Sequence, residues 1–207
     1  MKKKILTIIL AALITLISSN VFAANAFSDV DITHWAANYI YGTYALKIVN
    51  GYEDGTFMPN NQLKTGEFIK MISMAMFPKY VYTKPADGVH WSMPYVETLD
   101  MFILSKSDYT NEKLESIITR EEAAKLICLF HVKYHCENPD KKLTKDEKYI
   151  KQLTDEASIT NASSRMYIDN CVKFGLINGF DDGSFRPTEG LTRAQAAKII
   201  YTAMFND

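Results

Sequence analysis

Arg120 and Arg193 sit in matching tetrapeptides, Thr119-Arg120-Glu121-Glu122 and Thr192-Arg193-Ala194-Gln195. Thr-x-x-Glu and Thr-x-x-Gln are capping boxes, in which the threonine accepts a first-turn amide while Glu122 or Gln195 reaches back to the threonine's own amide. The box explains both ends of the motif but not the arginine, because a cation in the first turn opposes the helix dipole. Two of the chain's four arginines occupy this unfavourable place. A helix N-terminus beside a planar guanidinium suits a carboxylate ligand; the alternative is a surface ion pair. Trp35 and Trp91 each follow a histidine, His34 and His90. An indole at a helix start either anchors the core or offers its face to a sugar ring and its N–H to a hydroxyl, while the histidines close the helix start. Gly51 and Gly179 each lead into an Asp-Gly pair, Asp54-Gly55 and Asp182-Gly183. These lack the alternating carboxylates and distal Glu of a calcium loop and read as turns, in which glycine lets backbone approach a ligand closely.

Other chemistries find no support. Glu121 and Glu122 are adjacent, so on a helix they point about 100° apart and form no acid/base pair. No nucleophile elbow, zinc-protease motif or phosphate-binding glycine loop occurs. Cys128, Cys136 and Cys171 include no CxxC and no zinc-ligand spacing. They read as buried or free thiols, or as one bridge that includes Cys136. No catalytic residue, metal or cofactor is expected. With 23 basic and 24 acidic side chains and a net charge of −1, general nucleic-acid binding is excluded too.

The elements that position these residues form an internal repeat. Residues 40–72 align without gaps on 168–200, with identities that include Asn50/Asn178, Phe57/Phe185, Pro59/Pro187, Leu63/Leu191 and Lys70/Lys198. A weaker copy lies between them, where His90-Trp91 repeats His34-Trp35 and Ile118-Thr119-Arg120 repeats Leu191-Thr192-Arg193. The spacing predicts three copies, 27–77, 83–131 and 153–205, with a polar, solvated insert over 132–152. Each copy reads as helix, turn, helix. Trp35, Tyr39, Ile40, Tyr44 and Ile48 mark a helical face, and Gly51 is expected as the C′ residue at positive φ. A second helix starts near Thr65 with Phe68, Ile69, Ile72 and Met76 on its apolar side. One such hairpin cannot bury its own apolar face, so the three close on one another. The expected fold is all-α, one body of three helix-loop-helix repeats.

Lys2, Lys3 and Lys4, an apolar run from Ile5 to Ile17 and the small residues up to Ala23 describe a secretory signal peptide over 1–23. Its removal takes three cations with it and leaves a net charge of −4, with no later run of membrane-spanning length.

These residues together resemble the S-layer homology repeats that hold bacterial proteins to the cell wall. The resemblance rests on Phe27-Ser28-Asp29-Val30, His34-Trp35-Ala36, the loops Gly51 to Pro59 and Gly179 to Pro187, and the two Thr-Arg motifs. It implies a pseudo-threefold bundle whose inter-repeat grooves bind secondary cell-wall polysaccharide, often through pyruvate-ketal sugars, at the arginine, the tryptophan and the glycine loop. The candidate glycan-binding residues are therefore Arg120, Arg193, Trp35, Trp91, Gly51, Asp54, Gly55, Gly179, Asp182 and Gly183. The implied partner is that polysaccharide or a peptidoglycan-linked glycan, with another surface protein as a further partner, and the implied location is the bacterial cell surface. No copy is complete. Copy one has Lys64-Thr65-Gly66-Glu67 in place of Thr-Arg-Ala-Glu, with Lys64 as a substitute point charge. Copy two has Ser107-Asp108-Tyr109 for the glycine loop, and copy three has Ala162-Ser163 where His-Trp belongs. Grooves shared between neighbours then give one or two working sites rather than three. The alternative is an exported protein-interaction scaffold whose degenerate grooves no longer bind glycan.

Overall fold

The computed structural model describes residues 26–100, 102–135 and 142–205. The expected signal segment and Cys136 lie outside them. Seven α-helices are present among the described residues, and no strand: α1 Ala37–Ala45, α2 Thr65–Met76, α3 Met93–Asp100, α4 Asn111–Glu115, α5 Arg120–Tyr134, α6 Ala162–Lys173 and α7 Arg193–Phe205. The all-α expectation holds, and none of these helices is long and apolar enough to cross a membrane.

The long second helices α2, α5 and α7 begin around one axis. Just before each, a residue of extended backbone bonds to its counterpart in another copy. Leu63 N–H donates to Leu191 O (2.9 Å), Leu191 N–H to Ile118 O (3.1 Å) and Ile118 N–H to Leu63 O (3.0 Å). These bonds close a ring, and all three side chains are buried at its centre. Amides inside an apolar core need partners, and here each copy supplies the partner of another. A second ring of bonds lies one step outward: Thr65 N–H to Ser116 O, Arg120 N–H to Glu189 O and Arg193 N–H to Asn61 O.

The first helices pack outside this centre. α1 ends where Lys47 takes a positive φ of 60° and Ile48 N–H reaches Thr43 O (2.9 Å); α6 ends identically at Gly175 (φ 66°) with Leu176 N–H on Cys171 O (2.9 Å). Gly51 is therefore not the positive-φ cap expected of it. Its need for glycine is steric, since a β-carbon there would lie 2.4 Å from Phe27 Cε1 and 2.7 Å from Thr56 O.

The polar span between copies two and three is not simply solvated. Asp169 of α6 accepts the amides of Tyr149 (2.6 Å) and Ile150 (2.8 Å), and Asn170 exchanges bonds with both N–H and C=O of Thr144. Arg165 pairs with Glu147 (2.9 Å). The backbone groups of Thr144, Tyr149 and Ile150 are thus met by buried side chains of α6. Cys128 and Cys171 are free and buried, and burial pushes the Cys171 thiol up.

Candidate functional site

Each glycine loop is built by the same bonds. Tyr52 N–H donates to Thr56 O, and Phe180 N–H to Ser184 O, both at 2.8 Å. At the tip, Asp54 Oδ1 accepts from Thr56 N (2.9 Å) and Oγ1 (2.7 Å), and Asp182 Oδ1 does the same with Ser184. Bonds from Ser184 hold the Asp182 carboxyl well below the usual carboxylate range. Gly55 and Gly183 take positive φ, 80° and 79°. Beyond the tip, Met58 (φ 55°) and Arg186 (φ 56°) sit in the left-handed region that ordinary residues avoid. Asp29 holds the first of these strained places, accepting Phe57 N and Met58 N at 2.7 Å each. Asp155 holds the second through Phe185 N (2.8 Å) and Arg186 N (2.7 Å).

The arginines come from a different copy than the loop they touch. Arg193 Nε donates to Phe57 O (2.8 Å) and Nη2 to Asn50 O (3.0 Å), with the guanidinium over Tyr52 and Phe57 at 4.9 and 4.6 Å. Arg120 treats copy three alike, with Nε on Phe185 O (2.6 Å), Nη2 on Asn178 O (3.1 Å), and its head over Phe180 and Phe185 at 4.6 and 4.8 Å. Burial pulls the Arg120 guanidinium down to about 10. The helix amides are engaged as well. Glu121 N–H reaches Pro187 O (2.9 Å) and Ala194 N–H reaches Pro59 O (3.0 Å). The expected convergence of helix amides and guanidinium on a ligand carboxylate is thus corrected: the amides and two of the arginine's donor groups serve loop carbonyls. The full capping box forms at Thr192–Gln195 (3.0 and 3.3 Å). At α5 only Thr119 caps, because Tyr109 O–H binds the Glu122 carboxylate (2.7 Å) instead.

Two grooves result, of about 180 and 160 Å³. In the first, copy one supplies Gly51, Tyr52, Glu67 and Lys70, copy two supplies Trp91 and copy three Arg193. In the second, copy three supplies Gly179, Phe180, Gln195 and Lys198, copy one supplies Trp35 and copy two Arg120. The rule is the same in both: loop and second helix from one copy, tryptophan from the next, arginine from the one before. Trp35 and Trp91 are 57% and 41% exposed, which removes the core-anchor reading. Of the ten candidate residues, Trp35, Trp91, Arg120, Arg193, Gly51 and Gly179 line grooves. Asp54, Gly55, Asp182 and Gly183 form loop tips and are not among the lining residues. The histidines close helix starts, His34 Nδ1 accepting from Ala36 N (3.1 Å) and His90 Nδ1 from Ser92 N (3.2 Å).

Applied to the third position, this rule calls for a glycine loop from copy two, a tryptophan from copy three and an arginine from copy one. Those are the three parts the sequence lacks. Thr65, at the arginine place, is buried and bonds Ser116 O (3.1 Å). Glu115 of α4 bridges Lys64 (2.5 Å) and His90 (2.7 Å), so Lys64 pairs with a carboxylate of the protein. Tyr109 is buried, and that burial, with the Glu122 charge beside it, drives its phenol far up. The three incomplete copies therefore make two complete grooves and one closed seam.

Residues 26–69 and 148–197 match the model of the S-layer homology domain. These two segments are S-layer homology repeats. Amylopullulanase of Thermoanaerobacterium thermosulfurigenes is 27% identical over 182 residues, covering 84% of this chain and 9% of that protein. An endoglucanase of Bacillus sp. strain KSM-635 is 23% identical over 97% of this chain and 21% of its own length. Cell surface glycoprotein 1 of Acetivibrio thermocellus is 36% identical over 53 residues, 26% of this chain and 2% of that protein. The chain thus spans less than a quarter of these relatives. S-layer homology domains anchor proteins to the cell wall, which places such chains at the cell surface. The matched segments are copies one and three; the S-layer homology pattern is weakest in the copy that contributes the loop of the closed seam.

Lys70, Lys198 and Asp155 are not among the candidate residues that the motifs single out. Lys70/Lys198 was visible as an identity at the repeat offset. Asp155 was hidden because Thr154-Asp155-Glu156 lacks the phenylalanine and valine that frame Asp29.

Proposed function

We propose that this protein attaches to the bacterial cell wall without catalysis, by binding secondary wall polysaccharide in the Trp91 and Trp35 grooves. The observation that carries this reading is the pairing of parts across copies. Independent decay of three repeats would scatter its losses, yet all three losses fall on one seam and leave two grooves whole. Each groove joins an exposed indole, a cation and backbone brought close by glycine, a combination that suits a sugar ring bearing an acidic group. The same completeness favours glycan binding over a scaffold with decayed grooves. Purified protein is expected to pellet with isolated walls and to remain in solution with walls stripped of secondary polymer. Trp35→Ala combined with Trp91→Ala, both at exposed positions, is expected to abolish pelleting. A double variant that still pellets with native walls overturns the assignment, and wild-type pelleting that survives stripping moves the target to peptidoglycan.

A further inference from the structure

In cyclic order, the first helix of each copy packs on the second helix of the copy before it: α3 on α2, α1 on α7 and α6 on α5. The first two joints flank the grooves, whose linings draw on α2 with Trp91 and on α7 with Trp35. The third joint belongs to the closed seam. One place on each helix can be compared across all three joints. On the second helices it lies eight residues beyond Thr65, Arg120 and Arg193, at Ser73, Cys128 and Tyr201. On the first helices it lies eight residues beyond Trp35 and Trp91, at Thr43 and Leu99, and the repeat offset carries Thr43 to Cys171. Cysteine fills both places only at the seam that holds no groove.

The two thiols meet there. Cys171 Sγ donates to Ala124 O (3.3 Å), the carbonyl that α-helical bonding assigns to the Cys128 amide. Cys171 is therefore held at the level of Cys128, and a side-chain hydrogen bond joins the two thiols. Both residues are fully buried. No third His, Cys, Asp or Glu completes a metal-binding group with them among the described residues.

We propose that Cys128 and Cys171 are a disulfide-forming site, at which a small organic disulfide oxidises the pair and so latches copy two covalently to copy three. One cysteine thiolate attacks a sulfur of the oxidant R–S–S–R and displaces RS⁻. The second thiolate attacks the protein sulfur of that mixed disulfide and displaces the other RS⁻. The two cysteine protons end on the two RS⁻ groups, so the pair gives up two electrons and the oxidant leaves as two RSH. In the folded protein neither sulfur is open to this exchange, and burial keeps Cys171 in its unreactive thiol form. The bond therefore forms before α6 docks on α5, and the same packing then shields it from reductants. The cell surface, where S-layer homology domains act, lies outside the reducing cytosol, so a disulfide once formed persists there. The latch goes beyond glycan binding and does not depend on it.

The test uses the protein carrying Cys136→Ser, which removes the third thiol. It is unfolded under reducing conditions and refolded with either oxidised or reduced glutathione. After oxidative refolding, no thiol is expected to react with an alkylating reagent in denaturant, and mass spectrometry of a digest is expected to show the Cys128 and Cys171 peptides joined. Protein folded in the reduced form and only then given oxidised glutathione is expected to keep both thiols. The bridged form is expected to melt about 5–10 °C above the reduced form, since the bond closes a loop of about 40 residues. Cys171→Ser in the same background is expected to abolish both the joined peptides and the difference in melting temperature. With Cys136 restored, the same joined pair and one free thiol are expected. Two alkylatable thiols after oxidative refolding, glutathione retained on both cysteines, or a bridge through Cys136 instead overturns the site. A bridged form that melts below the reduced one overturns the latch.

Discussion

The Trp35 groove and the closed seam are built at equivalent places, yet they are held together by different forces. In the groove a single guanidinium from one copy grips two carbonyls and two aromatic faces of another. At the seam the corresponding residue is a threonine, and the neighbouring copy is joined by Glu115, which bridges the exposed Lys64 and the buried His90. An arginine in the first turn is tolerated where a loop offers carbonyls to receive it. Where the loop is gone, a buried guanidinium would be left without partners, and the arginine is gone too. The parts vary by seam and not by repeat.

Removing the grip tests this contrast most severely. Arg120→Ala is expected to cost about 3 kcal/mol, because two bonds from a buried charged donor are lost together. Arg193→Ala, being less buried, should cost less, and thermal or denaturant unfolding of both checks the order. The converse exchange, Thr65→Arg, is expected to destabilise by about 2 kcal/mol or more without creating a third glycan site, since no loop carbonyls await it. Titration showing three sites per chain in that variant would break the pairing rule.

The glycine loops sharpen the comparison at smaller scale. Gly51→Ala is expected to cost about 2 kcal/mol through the clash with Phe27 and the Thr56 carbonyl, with groove binding lost alongside. Gly55→Ala meets nothing within 4 Å and suffers only from its φ of 80°, so about 1 kcal/mol is expected. A larger loss at Gly55 than at Gly51 would show that the tip, and not the base, sets the loop.

Acid should act on the seam through Glu115. Bonds from Lys64 and then His90 hold the Glu115 carboxyl below its usual 4.5. A depressed carboxylate contributes stability that is present above the ordinary value and is lost as pH falls through the folded one. Glu115→Gln is therefore expected to be less stable than wild type at neutral pH, with the gap in melting temperature shrinking below about pH 4.5. Smallest of all, Trp35→Ala and Trp91→Ala should each change stability by less than about 0.5 kcal/mol, as exposed side chains do, while wall binding falls.

Much of this architecture was legible in the chain. The offset between copies one and three located both glycine loops and both second helices, and the two Thr-Arg motifs located the threonine caps, because Asp-Gly turns, capping boxes and apolar helix faces are local signals. Trp35 and Trp91 were placed at helix starts, but only packing shows that their rings remain exposed. The role of Arg120 could not be read locally: its bonds reach Asn178 and Phe185, and nothing in Thr-Arg-Glu-Glu names a carbonyl so far along the chain. Gly51 misled for a related reason. Its closeness to a helix end suggested a cap, whereas the demand for glycine comes from Phe27, far behind it in sequence. The missing parts were each visible in the sequence, but that they belong to one seam follows only from knowing which copy faces which.

The ring through Leu63, Ile118 and Leu191 also sets the order in which binding capacity can arise. In an open solenoid each added repeat contributes its own surface, and a truncated array still binds in proportion. Here a closed ring makes assembly all-or-none: copy one stays unsealed until copy three, the last to be synthesised, arrives to donate Arg193. A cut that removes either end disables both grooves at once, since each requires all three copies. Wall binding through these grooves, as proposed, would therefore retain only chains whose three copies are folded and intact.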